Sequence, residues 1–248
     1  MRWPGLSVFA AALLPIAIEA GCDAHSDSTA TQPPAIEASP AAASAFLSAE
    51  AKAPEIIIGR MNVDVGKDRV PTSDPALADR TAVFLRGAPA IEGRIVDVVV
   101  LRAAKPSHVA AVLDALRQEK ATGANMKTDS RDGATETLPV AFVPTLPDCA
   151  TVAWIAKDAA IDVWRAGGGV AKRVLRGLAG PDLTLGLEAV EKQGSNCAAS
   201  QFALGADDAM TWGLVFDLGR AALHAPWTRT SSAVLVTAAI PGRRLSIR

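Results

Sequence analysis

The spacing of hydrophobic and polar positions predicts a chain in which strands and helices alternate. Short runs rich in Val and Ile, bounded by turn residues, are typical of strands. The predicted strands are residues 55–58, 61–65, 82–86, 95–101, 125–128, 138–143, 151–156, 160–164, 170–174, 201–205 and 233–238. This alternation with helical stretches favours a mixed α and β protein.

Three longer stretches carry the 3.6-residue spacing of helices. They are residues 107–120, 183–193 and 210–223. In the first, Val109, Val112, Leu113 and Leu116 fall at i, i+3, i+4 and i+7, which places them on one helix face. Asp182 stands at the start of the second and is its predicted N-cap.

Two parts of the chain share a strand–helix–strand pattern. When the helices are aligned at a constant offset, Trp212, Val215 and Phe216 fall on their counterparts in the first copy, Val109, Val112 and Leu113. We therefore predict an α+β fold of two related small strand–helix–strand modules, each a mixed sheet with helices packed on one face. The predicted modules are residues 55–147 and 148–248.

The N-terminus has the composition of an export signal. Residues 5–18 form an apolar run of about 14 residues, shorter than the roughly 20 residues that a membrane span needs. Residues 1–21 are thus a predicted signal peptide, and Cys22 resembles the lipidated cysteine of bacterial lipoproteins. Glu19 departs from the aliphatic residue expected three positions before that cysteine, so cleavage after Ala20 or Ala24 stays open, as does an uncleaved anchor.

Residues 22–54 are a predicted disordered tether, because Ala, Ser, Thr and Pro bury too little apolar surface to offset the loss of chain entropy. If Cys22 carries lipid, Cys149 and Cys197 remain as a pair in the folded part. Each precedes a predicted strand, and neighbouring parallel strands would bring them together. An exported chain meets oxidising conditions, so we predict a disulfide in preference to two free thiols.

Composition and motifs narrow the function classes. A net charge of -1 weighs against a nucleic-acid partner, and only 4% aromatic residues weigh against a carbohydrate-binding or single-strand nucleic-acid groove. No cofactor motif is present, and His25, His108 and His224 lack metal-site spacing, so neither a cofactor nor a metal is expected. Asp207 and Asp208 are predicted caps of the helix that follows. With Trp212 they are also the candidate partner-binding residues.

The second copy resembles the periplasmic domain of the ExbD/TolR biopolymer-transport family. The shared pattern is a hairpin, a helix, a strand ending in Ala-Asp, a helix that begins with an aromatic, and a last strand. It is found at residues 152–164, 183–193, 201–207, 212–223 and 234–237. The first copy matches only through residues 98–116, and Ala103-Ala104 replaces its Ala-Asp pair.

This resemblance implies a module that binds peptidoglycan or an envelope protein, with a homodimer as a candidate assembly and a link to biopolymer transport or envelope integrity. The family's Asp-bearing membrane helix has no counterpart here, so no proton-conducting role is expected. The prediction is a non-catalytic lipoprotein on the periplasmic or cell-surface side of a bacterial membrane. The alternative is an exported hydrolase with a dispersed active site.

Overall fold

The computed structural model describes residues 53–247 except 89, 179, 200 and 226–228. The predicted signal peptide, Cys22 and the tether up to residue 52 therefore lie outside the described residues, as does Trp227. In chain order the elements are β1 (Ile56–Ile58), β2 (Asn62–Val65), β3 (Asp68–Pro71), α1 (Leu77–Leu85), β4 (Ile95–Val100), α2 (Pro106–Gln118), β5 (Gly123–Asp129), β6 (Thr135–Ala141), β7 (Thr151–Ile155), β8 (Ile161–Arg165), β9 (Lys172–Val174), α3 (Leu183–Gly194), β10 (Gln201–Ala206), α4 (Trp212–His224) and β11 (Ser232–Leu235).

All described strands belong to one mixed sheet, which confirms the predicted α+β class. Its order is β3-β2-β1-β4-β5-β6-β11-β10-β7-β8-β9. The strands of both predicted modules thus lie in a single sheet, so the prediction of a separate sheet for each module is wrong. β6 joins the two halves, since it pairs antiparallel with β5 and parallel with β11. None of the described helices is long and apolar enough to cross a membrane.

The two halves connect their strands in the same order. In the first, β1, β2 and β3 form an antiparallel meander, and β4 and β5 add in parallel on the other side of β1. In the second, β7, β8 and β9 form the meander, and β10 and β11 add in parallel beside β7. A helix precedes the fourth and the fifth strand of each half, as parallel connections require.

One core joins the halves. Buried apolar side chains from helices α1 to α4 form a single cluster with one face of the sheet, where Val98 and Leu204 are completely buried. On the opposite face of the second half, a smaller cluster forms around Val152 and Trp164. The C-terminal segment covers it, because the Trp164 indole donates a hydrogen bond of 2.9 Å to the Arg243 carbonyl. Both sides of the second half are therefore shielded from water.

The corresponding elements of the halves are offset by 106 residues, as Gln201 stands against Ile95 and Trp212 against Pro106. The element bounds therefore differ by three residues from the alignment of Trp212 with Val109. Side chains alternate along a strand, so an odd error moves a residue to the other face of the sheet. The 106-residue offset pairs buried Val98 with buried Leu204.

Two elements near the start of the fold differ from the sequence prediction. Residues 82–85 of the predicted strand at 82–86 belong to α1, whose buried residues Leu77, Thr81, Ala82 and Leu85 recur at helical spacing. A five-residue apolar run does not distinguish a strand from a helix. The sequence pattern does not predict β3, because only Val70 of its four residues is buried, as is usual for an edge strand.

Candidate binding groove between the two halves

The loops that follow β4 and β10 meet at the centre of the molecule. The backbone N–H of Trp212 donates to the Ala104 carbonyl at 2.8 Å, and that of Gly213 donates to the Arg102 carbonyl at 3.0 Å. In the other direction, the backbone N–H of Ser107 donates to Asp208 Oδ1 at 2.9 Å. Each loop therefore satisfies backbone groups at the start of the other half's helix, which would otherwise lack partners.

These contacts are reciprocal when the halves are compared at the 106-residue offset. Arg102 corresponds to Asp208, and Ser107 corresponds to Gly213. Arg102 contacts Gly213, and Asp208 contacts Ser107. The same pair of positions is thus used twice, once in each direction, as in an approximate two-fold arrangement.

Beside these loops, two arginines hold one carboxylate. Arg102 donates to both oxygens of Asp217, at 3.0 and 2.7 Å, and Arg131 Nε donates to Asp217 Oδ2 at 3.0 Å. The Asp217 side chain is only 15% exposed, so these charge-assisted bonds are poorly screened by solvent. The network fastens α4 to the loop after β4 and to the β5–β6 turn.

The three candidate partner-binding residues have different surroundings. Trp212 is 1% exposed, and its indole N–H donates to Thr128 Oγ1 at 2.8 Å, so it packs in the core and does not face a partner. Asp207 Oδ1 accepts the N–H of Ala209 at 2.9 Å, while Asp208 receives that of Ser107. The predicted capping of α4 is therefore wrong: its N-cap, Thr211, has no side-chain cap bond, and Asp208 serves α2 of the other half.

Asp207 and Asp208 line an open groove of about 770 Å³ between the halves. The first half contributes Lys105 and His108 from the start of α2, and Trp154 comes from β7. Neither aspartate forms an ion pair with another described residue. The groove thus combines two available carboxylates with a cation, an imidazole and an aromatic side chain, which can bind a ligand with hydroxyl, amide or amino groups.

His108 is the groove's orphan polar group. Its Nδ1 atom is buried and has no hydrogen-bond partner among the described residues. Burial lowers the pKa of His108 below its usual value, although the nearby Asp208 carboxylate acts in the opposite direction. Across the described residues, no hydroxyl or thiol hydrogen-bonds to His108 or to His224, which ends α4.

The disulfide prediction is confirmed. Cys149 and Cys197 are bonded, with their Cα atoms 5.5 Å apart. They precede β7 and β10, which are parallel neighbours paired from Val152 and Ala203 onward. Neighbouring parallel strands begin at the same end of the sheet, and this is the reason that the sequence argument gives for the bond.

Arg102 and Asp217 were missed in the sequence, since neither belongs to a motif. The available signal was one charged residue directly after a buried strand and another inside an apolar helix. No cluster of metal-ligating side chains occurs in the part of the chain that the structure describes. Comparison with protein-family models, curated proteins and solved structures finds no match for this chain.

Proposed function

We propose that this chain is an exported, non-catalytic binding or scaffolding protein of the cell envelope, similar to the periplasmic module of ExbD/TolR. The observation that carries the proposal is the groove between the halves. In it, the carboxylates of Asp207 and Asp208 are available beside Lys105, His108 and Trp154. Peptidoglycan offers hydroxyl, amide and amino groups to such a surface, and so does a basic segment of an envelope protein.

We also propose that the halves arose by duplication of one module. Their identical strand connections and the reciprocal loop contacts support this origin. After such a duplication, one chain contains two modules, whereas a chain with a single module would have to form a dimer to bring two together. The shared strand β6 and the common core would then make that pairing permanent.

A lipid anchor at Cys22 completes the proposal. With Cys149 and Cys197 joined in a disulfide, Cys22 is the one remaining cysteine of the sequence. Labelled palmitate fed to producing cells should enter the wild-type protein and should be absent from Cys22→Ser. Equal labelling of both forms, or none of the wild type, would contradict the anchor.

The binding proposal is tested by retention of the full chain on purified peptidoglycan and by capture of proteins from an envelope extract. The variant Asp207→Asn/Asp208→Asn removes both charges but leaves amide oxygens to accept the N–H groups of Ala209 and Ser107. We expect at least a tenfold loss of retention, because a charge-assisted contact is replaced by a neutral one.

The matched control is Asp68→Asn, an exposed aspartate on the distant edge strand β3, which should bind as the wild type does. Wild-type protein that retains neither peptidoglycan nor any extract protein would count against the proposed function. Equal retention of the double variant and the wild type would show that the groove is not the binding site.

A further inference from the structure

Among the described residues, nothing pairs with the outer side of β9, so backbone groups are left without partners at this edge of the sheet. The N–H of Ala156 bonds to Ala160, and that of Ala166 bonds to Ala150, so even-numbered residues of β8 face β7. The odd-numbered residues Ile161 and Val163 therefore bond to β9 at positions 174 and 172. It follows that the N–H and C=O of position 173 point away from the sheet.

Exposed apolar side chains surround this edge. Ten large apolar side chains are exposed among the described residues, and four of them lie on or next to β9 and the start of α3. They are Val170 (90% exposed), Leu175 (72%), Leu178 (112%) and Leu185 (48%). A cluster of this kind on a monomer marks a contact surface more often than scattered single residues do.

The edge strand and α3 enclose a groove of about 780 Å³, which we call the β9–α3 groove. Leu175 and Leu185 line it, and Lys172, Arg176 and Lys192 supply cations that form no ion pair with described residues. Two acidic residues line the groove. Asp182 caps α3 by accepting the Leu185 N–H, whereas the Glu188 carboxylate makes no hydrogen bond within the described chain. The groove is therefore apolar with a net positive rim.

The opposite edge of the sheet is protected. β3 ends with Pro71, which has no N–H to offer. Its Arg69 is paired with Asp64 at 2.6 Å. Such features discourage strand addition. The β9 edge also has charged side chains, Lys172 and the ion-paired Arg173. It differs from the β3 edge because it lacks a proline and has exposed apolar side chains at both ends.

We infer that the β9–α3 groove binds an extended, acidic segment of a partner polypeptide as an added strand. The segment's backbone would pair with position 173 of β9. Its alternate apolar side chains would lie against Leu175 and Leu185, and its acidic side chains would meet Lys172 and Lys192. This names one partner class for the proposed binding function. It uses a surface separate from the Asp207–Asp208 groove, so either proposal can fail alone.

The test is a selection of random twelve-residue peptides, displayed on phage, against the immobilised full chain. We expect enriched peptides with alternating apolar residues and a net negative charge. Synthetic copies should bind Leu185→Glu at least tenfold more weakly than the wild type. They should bind Met61→Glu, which alters a similarly exposed residue of the first half (69% exposed), as tightly as the wild type.

Hydrogen exchange locates the contact. A bound peptide should slow exchange at the amide of Arg173 and leave that of Arg69 on the opposite edge unchanged. Asp207→Asn/Asp208→Asn should bind the peptides normally. The inference is overturned if no sequence is enriched, or if peptides bind Leu185→Glu as well as wild type. It is also overturned if the surface instead mediates self-association that Leu185→Glu abolishes.

Discussion

Asp208 shows how one carboxylate connects distant parts of the chain. Its Oδ1 atom accepts the backbone N–H of Ser107, which is 101 residues away in sequence and lies in the first turn of α2. The preceding residues, Lys105 and Pro106, provide no side-chain cap for that helix. Asp208 therefore performs for α2 the task that a local N-cap performs elsewhere, and the partial positive charge of the helix N-terminus favours its carboxylate.

At this scale we predict that Asp208→Ala lowers the free energy of unfolding by about 1 kcal/mol, as the loss of a helix cap does. Asp208→Asn should retain most of the stability, because its amide oxygen can accept the same N–H. Urea denaturation of the full chain measures both. Asp68→Ala, at an exposed position without such a bond, serves as the control, and equal midpoints for Asp208→Ala and wild type would refute the capping role.

Local and distant residue contacts differ in how well the sequence reveals them. Asp182 was predicted as the N-cap of α3, and its carboxylate does accept the Leu185 N–H at 3.1 Å. That bond spans three residues, so it can be inferred from the pattern alone. The bonds of Asp208 and Trp212 span 101 and 84 residues. They depend on how two loops meet, which no local pattern encodes.

Among the elements, β7 and β10 are each preceded by one cysteine of the disulfide that ties the second half together. Cys149 and Cys197 are 48 residues apart in sequence, so the bond restricts a long loop of the unfolded chain. In the chain-entropy model such a cross-link stabilises by about 4 kcal/mol. We expect Cys149→Ser/Cys197→Ser to lose up to about this amount.

Thermal or urea unfolding of the oxidised wild type and the double serine variant checks this expectation. The reduced wild type is a second reference, because it lacks the bond but keeps both sulfur atoms. Mass spectrometry without reductant should find neither cysteine alkylated. Two alkylated thiols in the untreated protein would contradict the bond, and unchanged stability without it would contradict its structural role.

Periodicity was sufficient for most elements and insufficient for two. β4 and α2 were recognised because each buries one face over at least six residues. α1 was misread because its apolar run is short and its helical spacing becomes evident only when Leu77 is included. β3 was missed because an edge strand buries so little that its polar positions resemble a loop.

The whole molecule is built so that neither half is complete without the other. β6 lies between β5 and β11, and the Trp212 indole of the second half bonds to Thr128 of the first. The Arg102–Asp217 ion pair crosses the same boundary. Separation would expose a buried tryptophan and leave a partly buried carboxylate without its arginines, both of which are costly.

We therefore predict that residues 53–147 and residues 148–247, produced separately, show no cooperative unfolding transition on their own. Mixing them should restore secondary structure in circular dichroism and a single transition. Asp217→Ala should weaken this reassociation, whereas Asp68→Ala should not. Independent cooperative folding of either half would contradict the shared core.

The sequence by itself determined the α+β class, most strands, three of the four helices that the structure describes, the N-cap of α3 and the disulfide, because each depends on local spacing or on the pairing of neighbouring parallel strands. Only the tertiary structure decided that both halves share one sheet, that Asp208 caps a helix of the other half, and that the Trp212 indole bonds to Thr128. Those outcomes depend on contacts between residues about 100 positions apart. Their energies are set by how whole elements pack, which local hydrophobic periodicity does not specify.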